Sequence, residues 1–264
     1  MVLWLLYPVF GCIAGLIAGL LGVGGGIVVV PILFFTFTSQ GVAPEHIMQM
    51  ALGTSLGSIM FTSVSSFRAH HRRGAVHWDI VKKITPGILI GTFSGTWVAA
   101  LLSSTFLKGF FALFLYYVST QMLLNLKPQP NRTLPGHAGM FGVGGVIGVV
   151  SSLVGIGGGT LSVPFMSWCN VPVLHAIGTS AAIGFPIAVA GTLGYIVNGI
   201  GVPGLPELNL GYLNIPALFG IALFSMLTAP LGARLAHRLP VVALKRVFAV
   251  FLIITATRMV WGIF

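Results

Sequence analysis

Two runs of glycine are the residues with the clearest potential for binding chemistry. The first run reads Gly22-Val23-Gly24-Gly25-Gly26 before Pro31, and the second reads Gly155-Ile156-Gly157-Gly158-Gly159 before Pro164. Each interior glycine costs a helix about 1 kcal/mol relative to alanine, so both runs predict a helix break. A helix that restarts there presents free N–H groups and a positive dipole end, which favour an anion. We predict substrate binding at Gly24, Gly25, Gly26, Gly157, Gly158 and Gly159, with simple close packing of small residues as the alternative.

Short hydroxyl side chains form a second duplicated group. The chain reads Leu52-Gly53-Thr54-Ser55 and later Ile177-Gly178-Thr179-Ser180, so the two groups are 125 positions apart. Hydroxyls can donate hydrogen bonds to substrate oxygens, although in helices they often bond back to their own backbone. Their duplication at matched positions makes them candidate substrate-binding residues: Thr54, Ser55, Thr179 and Ser180.

One histidine is a candidate for proton coupling. His175 lies three residues before Gly178, inside the stretch from Thr133 to Pro206 that contains no Lys, Arg, Asp or Glu. An ionisable group within a membrane segment is a functional hypothesis by default, and imidazole titrates near neutral pH. The alternative is a position in the short loop at a helix start. Three other histidines lie in a basic loop and are interpreted as solvated: His70, His71 and His77.

Composition excludes several classes of function. The chain has only three acidic residues (Glu45, Asp79 and Glu207), too few for a metal cage or a pair of catalytic carboxylates. A serine hydrolase that used Ser55 or Ser180 with His175 would lack both a Gly-x-Ser-x-Gly elbow and an orienting acid. We therefore expect no enzyme activity, no cofactor and no metal. The net charge of +10 is not clustered on a solvated domain, so no nucleic-acid partner is expected either.

The elements that must position these residues are apolar helices. Of 264 residues, 56% are hydrophobic and 6% charged, which predicts an all-α polytopic membrane protein. Four apolar segments fall in each half: about 3–38, 46–67, 84–105 and 107–126, then 138–169, 173–198, 212–236 and 241–263. We predict one transport domain with a first repeat at 1–126, a polar linker at 127–137 and a second repeat at 138–264.

Loop charges predict that the two repeats are inverted. The loop after the second segment is basic, whereas its counterpart in the second half carries only Glu207; the loops after segments three and seven show the reverse asymmetry. Basic loops face the cytoplasm, so each glycine-broken segment must cross an even number of times. Each broken segment is then a re-entrant hairpin or a pair of short spans. Both termini are predicted to lie on the outer face of the inner membrane. Broken helices that meet at the midplane are typical of inverted-repeat transporters.

The sequence as a whole resembles the sulfite exporter TauE/SafE family of membrane permeases. The resemblance covers essentially the whole chain. It rests on the twin glycine runs with their prolines, the repeated Gly-Thr-Ser, the loop Arg72-Arg73-Gly74 with Val76-His77-Trp78, and the closing Pro230-Leu231-Gly232-Ala233-Arg234-Leu235-Ala236-His237. Family members often carry an acid before this tryptophan, where this chain has His77.

The resemblance implies a secondary carrier of sulfite, organosulfonates or related small organic acids. Its name implies export, but members are described as exporters and as importers, and no residue here sets the direction. The expected partners are a small anionic substrate and the lipid bilayer, and the sequence leaves a homo-oligomer open. A membrane subunit without transport activity is the remaining alternative.

Overall fold

The protein is almost entirely helical in a computed structural model that describes residues 6–21, 25–124, 132–236 and 241–261. Its helices are α1 (Leu6–Leu21), α2 (Gly26–Ser39), α3 (Ile47–His71), α4 (Trp78–Leu101), α5 (Ser104–Leu123), α6 (His137–Val154), α7 (Gly159–Trp168), α8 (Val173–Gly199), α9 (Ile215–Ala236) and α10 (Val241–Trp261). Two short antiparallel strands, β1 (Asn209–Leu210) and β2 (Leu213–Asn214), form a hairpin before α9.

Several helices have the length and composition of membrane spans. Within the described residues, α3, α4, α5, α6 and α8 each contain a long apolar window, and shorter apolar stretches occur in α1, α2 and α9. In a bilayer, a helix satisfies its own backbone hydrogen bonds and presents apolar side chains to lipid. The predicted class, an all-α polytopic membrane protein, is therefore confirmed.

Two predicted boundaries differ from the structure. α4 begins at Trp78, six residues before the predicted start of its segment, and so includes Lys82 and Lys83. Long lysine side chains can extend toward water while their helix continues into lipid, so charge alone misplaced this boundary. α5 begins at Ser104 because the Ser103 hydroxyl caps it, accepting a hydrogen bond of 3.2 Å from the Phe106 N–H.

Both glycine-broken segments return the chain to the end of the bundle where it entered. The Gln40 amide after α2 donates a hydrogen bond of 2.8 Å to the Tyr7 hydroxyl at the start of α1. Likewise, the Arg132 N–H before α6 donates one of 3.2 Å to the Trp168 carbonyl at the end of α7. The pairs α1/α2 and α6/α7 are therefore hairpins, and within the described residues Gly25 and Gly26 lie at the tip of the first and residues 155–159 at the tip of the second.

The two hairpins come from opposite ends of the bundle. The residue His77, at the start of α4, contacts the first turn of α8, and Asn214, before α9, contacts the first third of α3. Consequently α3 and α8 run in opposite directions. α4 packs on α6, and α1 packs on α9. In both contacts the fourth helix of one half packs on the first helix of the other half.

Glycine makes the α4–α6 contact possible. Close approaches advance together along both helices: Gly87 meets Phe141, Gly91 meets Gly145 and Gly95 meets Val149. The two helices therefore run parallel with their backbones in contact. A Cβ at Gly144 would collide with the Ile84 carbonyl oxygen, which explains why a side chain is absent there.

Replacement of this packing glycine should destabilise the protein. We expect Gly144→Ala to lower the free energy of unfolding by about 1–3 kcal/mol, the usual cost of overpacking. Gly142→Ala is the matched control on the same helix, because no described atom lies within 4 Å of a Cβ at that position. Thermal unfolding in detergent, followed by tryptophan fluorescence, distinguishes the two variants, and equal melting temperatures would contradict the packing model.

Candidate functional site

The break between α6 and α7 is built by two left-handed glycines. Gly155 has φ of 68° and ends α6, and its N–H donates a hydrogen bond of 2.8 Å to the Ser151 carbonyl. Gly158 has φ of 74° and precedes α7, and its carbonyl accepts hydrogen bonds from the N–H groups of Leu161 and Ser162. Side chains other than glycine rarely adopt this conformation, so both glycines are needed to break and restart the helix.

Several hydrogen-bond donors at the break between α6 and α7 have no partner among the described residues. No described residue accepts a hydrogen bond from the N–H of Gly157, Gly158, Gly159 or Thr160. The hydroxyls of Thr160 (8% exposed) and Ser151 (0% exposed) are also buried without a partner among the described residues. The Ser151 hydroxyl lies 3.6 Å from the Cβ position of Gly158. Buried polar groups are nearly always hydrogen-bonded, so this donor cluster is suited to an acceptor from outside the chain, such as an oxyanion.

The tips of the two hairpins touch beside this donor cluster. A Cβ on Gly26, the first residue of α2, would lie 2.5 Å from the Gly155 carbonyl oxygen. Ile59 of α3 lies against Gly26 and Gly157, and Ile187 of α8 lies 2.5 Å from the Cβ position of Gly158. An anion at the donor cluster would therefore require one of these isoleucines to move.

The two predicted serines lie at the break between α6 and α7. The Ser55 hydroxyl donates a hydrogen bond of 2.8 Å to the Gly155 carbonyl. The Ser180 hydroxyl oxygen lies 2.8 Å from the Ser162 hydroxyl, which donates to it and is also 2.9 Å from the Gly158 carbonyl. Ser55 thus contacts the break directly, and Ser180 contacts it through Ser162. Their contact with substrate stays a prediction.

The two predicted threonines hold loops from the opposite half. The Thr179 hydroxyl accepts a hydrogen bond of 2.9 Å from the His77 N–H, directly before α4. The Thr54 hydroxyl accepts one of 3.0 Å from the Asn214 N–H, directly before α9. Each threonine therefore anchors the N-terminal end of a helix that belongs to the other half of the chain.

The glycine before each threonine makes room for the same loop. A Cβ at Gly178 would collide with the Ala75 carbonyl oxygen, and one at Gly53 would lie 3.2 Å from the Tyr212 carbonyl oxygen. We name each Gly-Thr pair with its loop a Gly-Thr clamp: Gly178-Thr179 with residues 75–77, and Gly53-Thr54 with residues 212–214. Burial raises the pKa of the Tyr212 phenol, so this side chain is neutral at physiological pH.

The clamps are a role that the sequence reasoning missed. A signal for them was present, since His77 and Asn214 are 137 positions apart, the same offset that relates Gly95 to Gly232 and Lys108 to Lys245. The matched residues, however, differ in type, and the contacts use backbone N–H groups, so residue identity alone could not reveal them.

The candidate histidine has a histidine neighbour. The rings of His175 and His77 have centroids 4.7 Å apart and planes inclined by 43°. The Nδ1 atom of His175 is buried without a hydrogen-bond partner among the described residues. His77 is exposed, as expected for a loop residue, but its contact with His175 was not predicted.

The first glycine run contributes fewer polar groups. Gly24 lies outside the described residues. Gly25 has φ of 73° and precedes α2, as Gly158 precedes α7, but the next side chains in α2 are the buried Ile27 and Val28. Hydroxyl donors are thus concentrated at the second break.

The fold and its relatives define a multi-pass membrane transporter. A "Probable membrane transporter protein" of Haemophilus influenzae is 37% identical over 256 residues, which cover 97% of each chain. YunE and YdhB of Bacillus subtilis, with the same descriptive name, are 28% and 29% identical and cover 97% and 90% of this chain, and 97% and 91% of their own. No solved structure matches this chain at a significant level.

The chain belongs to the family described as "Sulfite exporter TauE/SafE", which it matches over residues 7–259. The resemblance inferred from the sequence is therefore confirmed.

Loss of a clamp hydroxyl should release the loop that it holds. In Thr54→Val, the Asn214 N–H loses its acceptor, and we expect roughly tenfold faster amide hydrogen exchange in residues 205–214. Thr54→Ser keeps the hydroxyl and should retain most of the protection. Hydrogen-exchange mass spectrometry of the three proteins measures this difference, and unchanged protection in Thr54→Val would show that the clamp does not hold the loop.

Proposed function

We propose that this protein is a secondary transporter of small sulfur-containing anions, such as sulfite or organosulfonates. The observation that carries the proposal is the cluster of unpaired N–H and hydroxyl donors around Gly158. The family description supports the substrate class, because it refers to sulfite export. The same description supports export as the proposed direction of transport.

Several residues form the proposed binding site. Ser151 and Thr160 join the residues that the sequence predicted: Gly24, Gly25, Gly26, Thr54, Ser55, Gly157, Gly158, Gly159, Thr179 and Ser180. The N–H groups at the start of α7 and the hydroxyls of Ser151 and Thr160 contact the anion directly. Thr54 and Thr179 act through the loops that they hold, whereas Ser55 and Ser180 reach the anion when the hairpin tips separate.

The chemistry of this donor set favours an oxyanion over a cation. Sulfite and sulfonate groups present three oxygens that accept hydrogen bonds, and the α7 dipole adds a positive end. A cation such as Na⁺ or Ca²⁺ needs oxygen ligands, often carboxylates, whereas this cluster presents N–H donors and all three acidic residues of the chain lie outside the glycine breaks. Small carboxylates share the chemistry of an oxyanion and are the second candidate substrate class.

Energetics explain why the site should bind its substrate selectively. A buried donor without a partner costs about 1–3 kcal/mol, so several such donors destabilise the empty site. An oxyanion that accepts these hydrogen bonds removes the cost, whereas an apolar solute does not. The donors thus discriminate by charge and by the number of oxygens.

The two Gly-Thr clamps supply a mechanism for alternating access. One clamp holds the loop before α4 on α8, and the other holds the loop before α9 on α3, at opposite ends of the bundle. Release of one clamp at a time would open the site between the hairpin tips, near the midplane, to one side only. This sequence of events is the alternating access expected for an inverted-repeat carrier.

Removal of the two unpaired hydroxyls should weaken anion binding without lowering the stability of the protein. We expect Ser151→Ala and Thr160→Val each to weaken anion binding about 10- to 100-fold, the value of a hydrogen bond to a charged group. Stability should be unchanged or higher, because a buried unpaired hydroxyl is removed. Thr192→Val is the matched control, since it removes another buried unpaired hydroxyl from the body of α8.

The assay identifies the substrate class at the same time. Purified protein in liposomes is tested for uptake and efflux of sulfite, taurine, sulfoacetate and acetate, and thermal stabilisation by each anion measures binding. Preference for sulfur oxyanions supports the proposal, whereas preference for acetate assigns the carboxylate alternative. Transport that is unaffected in both hydroxyl variants would place the binding site elsewhere.

We also propose that both termini lie on the side of the inner membrane opposite the cytoplasm. The basic loop before α4 marks the cytoplasmic end of the bundle, and α6 starts at the same end because α4 and α6 run parallel. The hairpin of α1 and α2 enters from the opposite end, which places the N-terminus away from the cytoplasm. A tag after Phe264 should be labelled in intact spheroplasts by a reagent that does not cross membranes. Labelling that occurs only after lysis would refute this orientation.

A further inference from the structure

We propose that His77 and His175 form a proton-binding pair that couples protonation to anion binding. This inference rests on the proposed function, since it assigns the coupling ion of the same transport site. The pair joins the two halves of the protein, because His77 lies in the loop before α4 and His175 in the first turn of α8.

The geometry of the pair makes one protonated form favourable. The ring centroids are only 4.7 Å apart, so a single proton gives one imidazolium beside one neutral imidazole. A second proton would place two positive charges in contact, which strongly disfavours it. The unpartnered, buried Nδ1 of His175 is an unfilled position for such a proton.

The charged groups on the elements that pack around α8 are mostly basic. Among the described residues, the one recorded ion pair joins Glu45 to His46, so no carboxylate neutralises either imidazole. The other titratable or charged groups on the elements that pack around α8 are Arg68, His70, His71, Arg72, Arg73, Asp79, Lys82, Lys83, Arg132, His137, Cys169 and Tyr212. Most of them are basic, and Asp79 is exposed in the first turn of α4.

A short chain of contacts connects the pair to the donor cluster. The His77 N–H donates to Thr179, which lies one helical turn after His175 on the same face of α8. Ser180 follows Thr179 and contacts Ser162, whose hydroxyl oxygen also lies 2.9 Å from the Gly158 carbonyl oxygen. The loop that carries His77 is therefore linked to the break between α6 and α7 through Thr179 and Ser180, which are consecutive residues of α8.

The sign of the coupling follows from charge. A protonated pair attracts an anion, so anion binding is strongest at low pH and weakens as pH rises through the titration of the pair. The weakening reaches about tenfold per pH unit if one proton is taken up with each anion. By reciprocity, anion binding raises the proton affinity of the pair, so mixing protein with anion takes up protons from solution.

The experiment compares wild-type protein with His77→Gln, His175→Gln and the control His137→Gln, which removes an exposed histidine at the start of α6. Methanesulfonate is the probe, because its own charge does not change with pH. Its dissociation constant is measured between pH 5.5 and 8, and proton uptake on binding is measured with a pH dye. We expect pH dependence and proton uptake in the wild type and the control, and a clear reduction of both in the two pair variants, each of which keeps only one imidazole.

A second measurement tests the pair without any anion. In NMR titrations of ¹³C-labelled histidine, His77 and His175 should titrate in two separated steps in the wild type, and the remaining histidine should titrate in a single step in each pair variant. Independent titration of the two rings overturns the proposal, as does unchanged proton uptake in His175→Gln. Absence of binding by any sulfur anion at any pH, with the two-step titration present, overturns the proposed function and not the proton-binding pair.

Discussion

The contact between two helix breaks is the constraint on which the rest of the structure depends. Gly26 and Gly155 bring the tips of two hairpins together, one from each end of the bundle, with no side chain between them. A broken helix exposes backbone groups, which in a membrane are tolerated only inside protein. The long helices α3 and α8 must therefore pass beside the tips, and their Ser55, Ile59 and Ile187 side chains enclose the break.

Each half of the chain holds a loop of the other half. The loop before α4 is held by a threonine of the second half, and the loop before α9 by a threonine of the first. The same exchange occurs between helices, since α1 packs on α9 and α4 on α6. The glycine-lined faces of α4 and α6 are buried against each other across the two halves. Duplication of Gly-Thr follows from this exchange, because each half presents the same surface to its neighbour.

The two halves are nevertheless unequal where chemistry is concerned. The second break is followed by Thr160 and Ser162, whereas the matching positions after the first break are Ile27 and Val29. A pair of neighbouring histidines occurs at one clamp, while the other clamp has Asn214, whose side chain caps α9 by accepting from the Ala217 N–H. A repeated scaffold can keep its packing residues in both copies while the polar groups for binding and coupling accumulate in one.

The helical membrane class, the two breaks and the residue types around them could be predicted from the sequence, because composition, glycine runs and internal offsets are properties of the chain before it folds. The sequence also identified Thr54, Ser55, Thr179 and Ser180, but not what they contact. The packing of the helices was needed to show that the threonines accept hydrogen bonds from backbone N–H groups, that the Ser151 and Thr160 hydroxyls are buried without partners, and that His77 contacts His175. These contacts join residues far apart in sequence or use backbone atoms common to every residue, so their positions depend on how the helices pack and not on the local pattern of side chains.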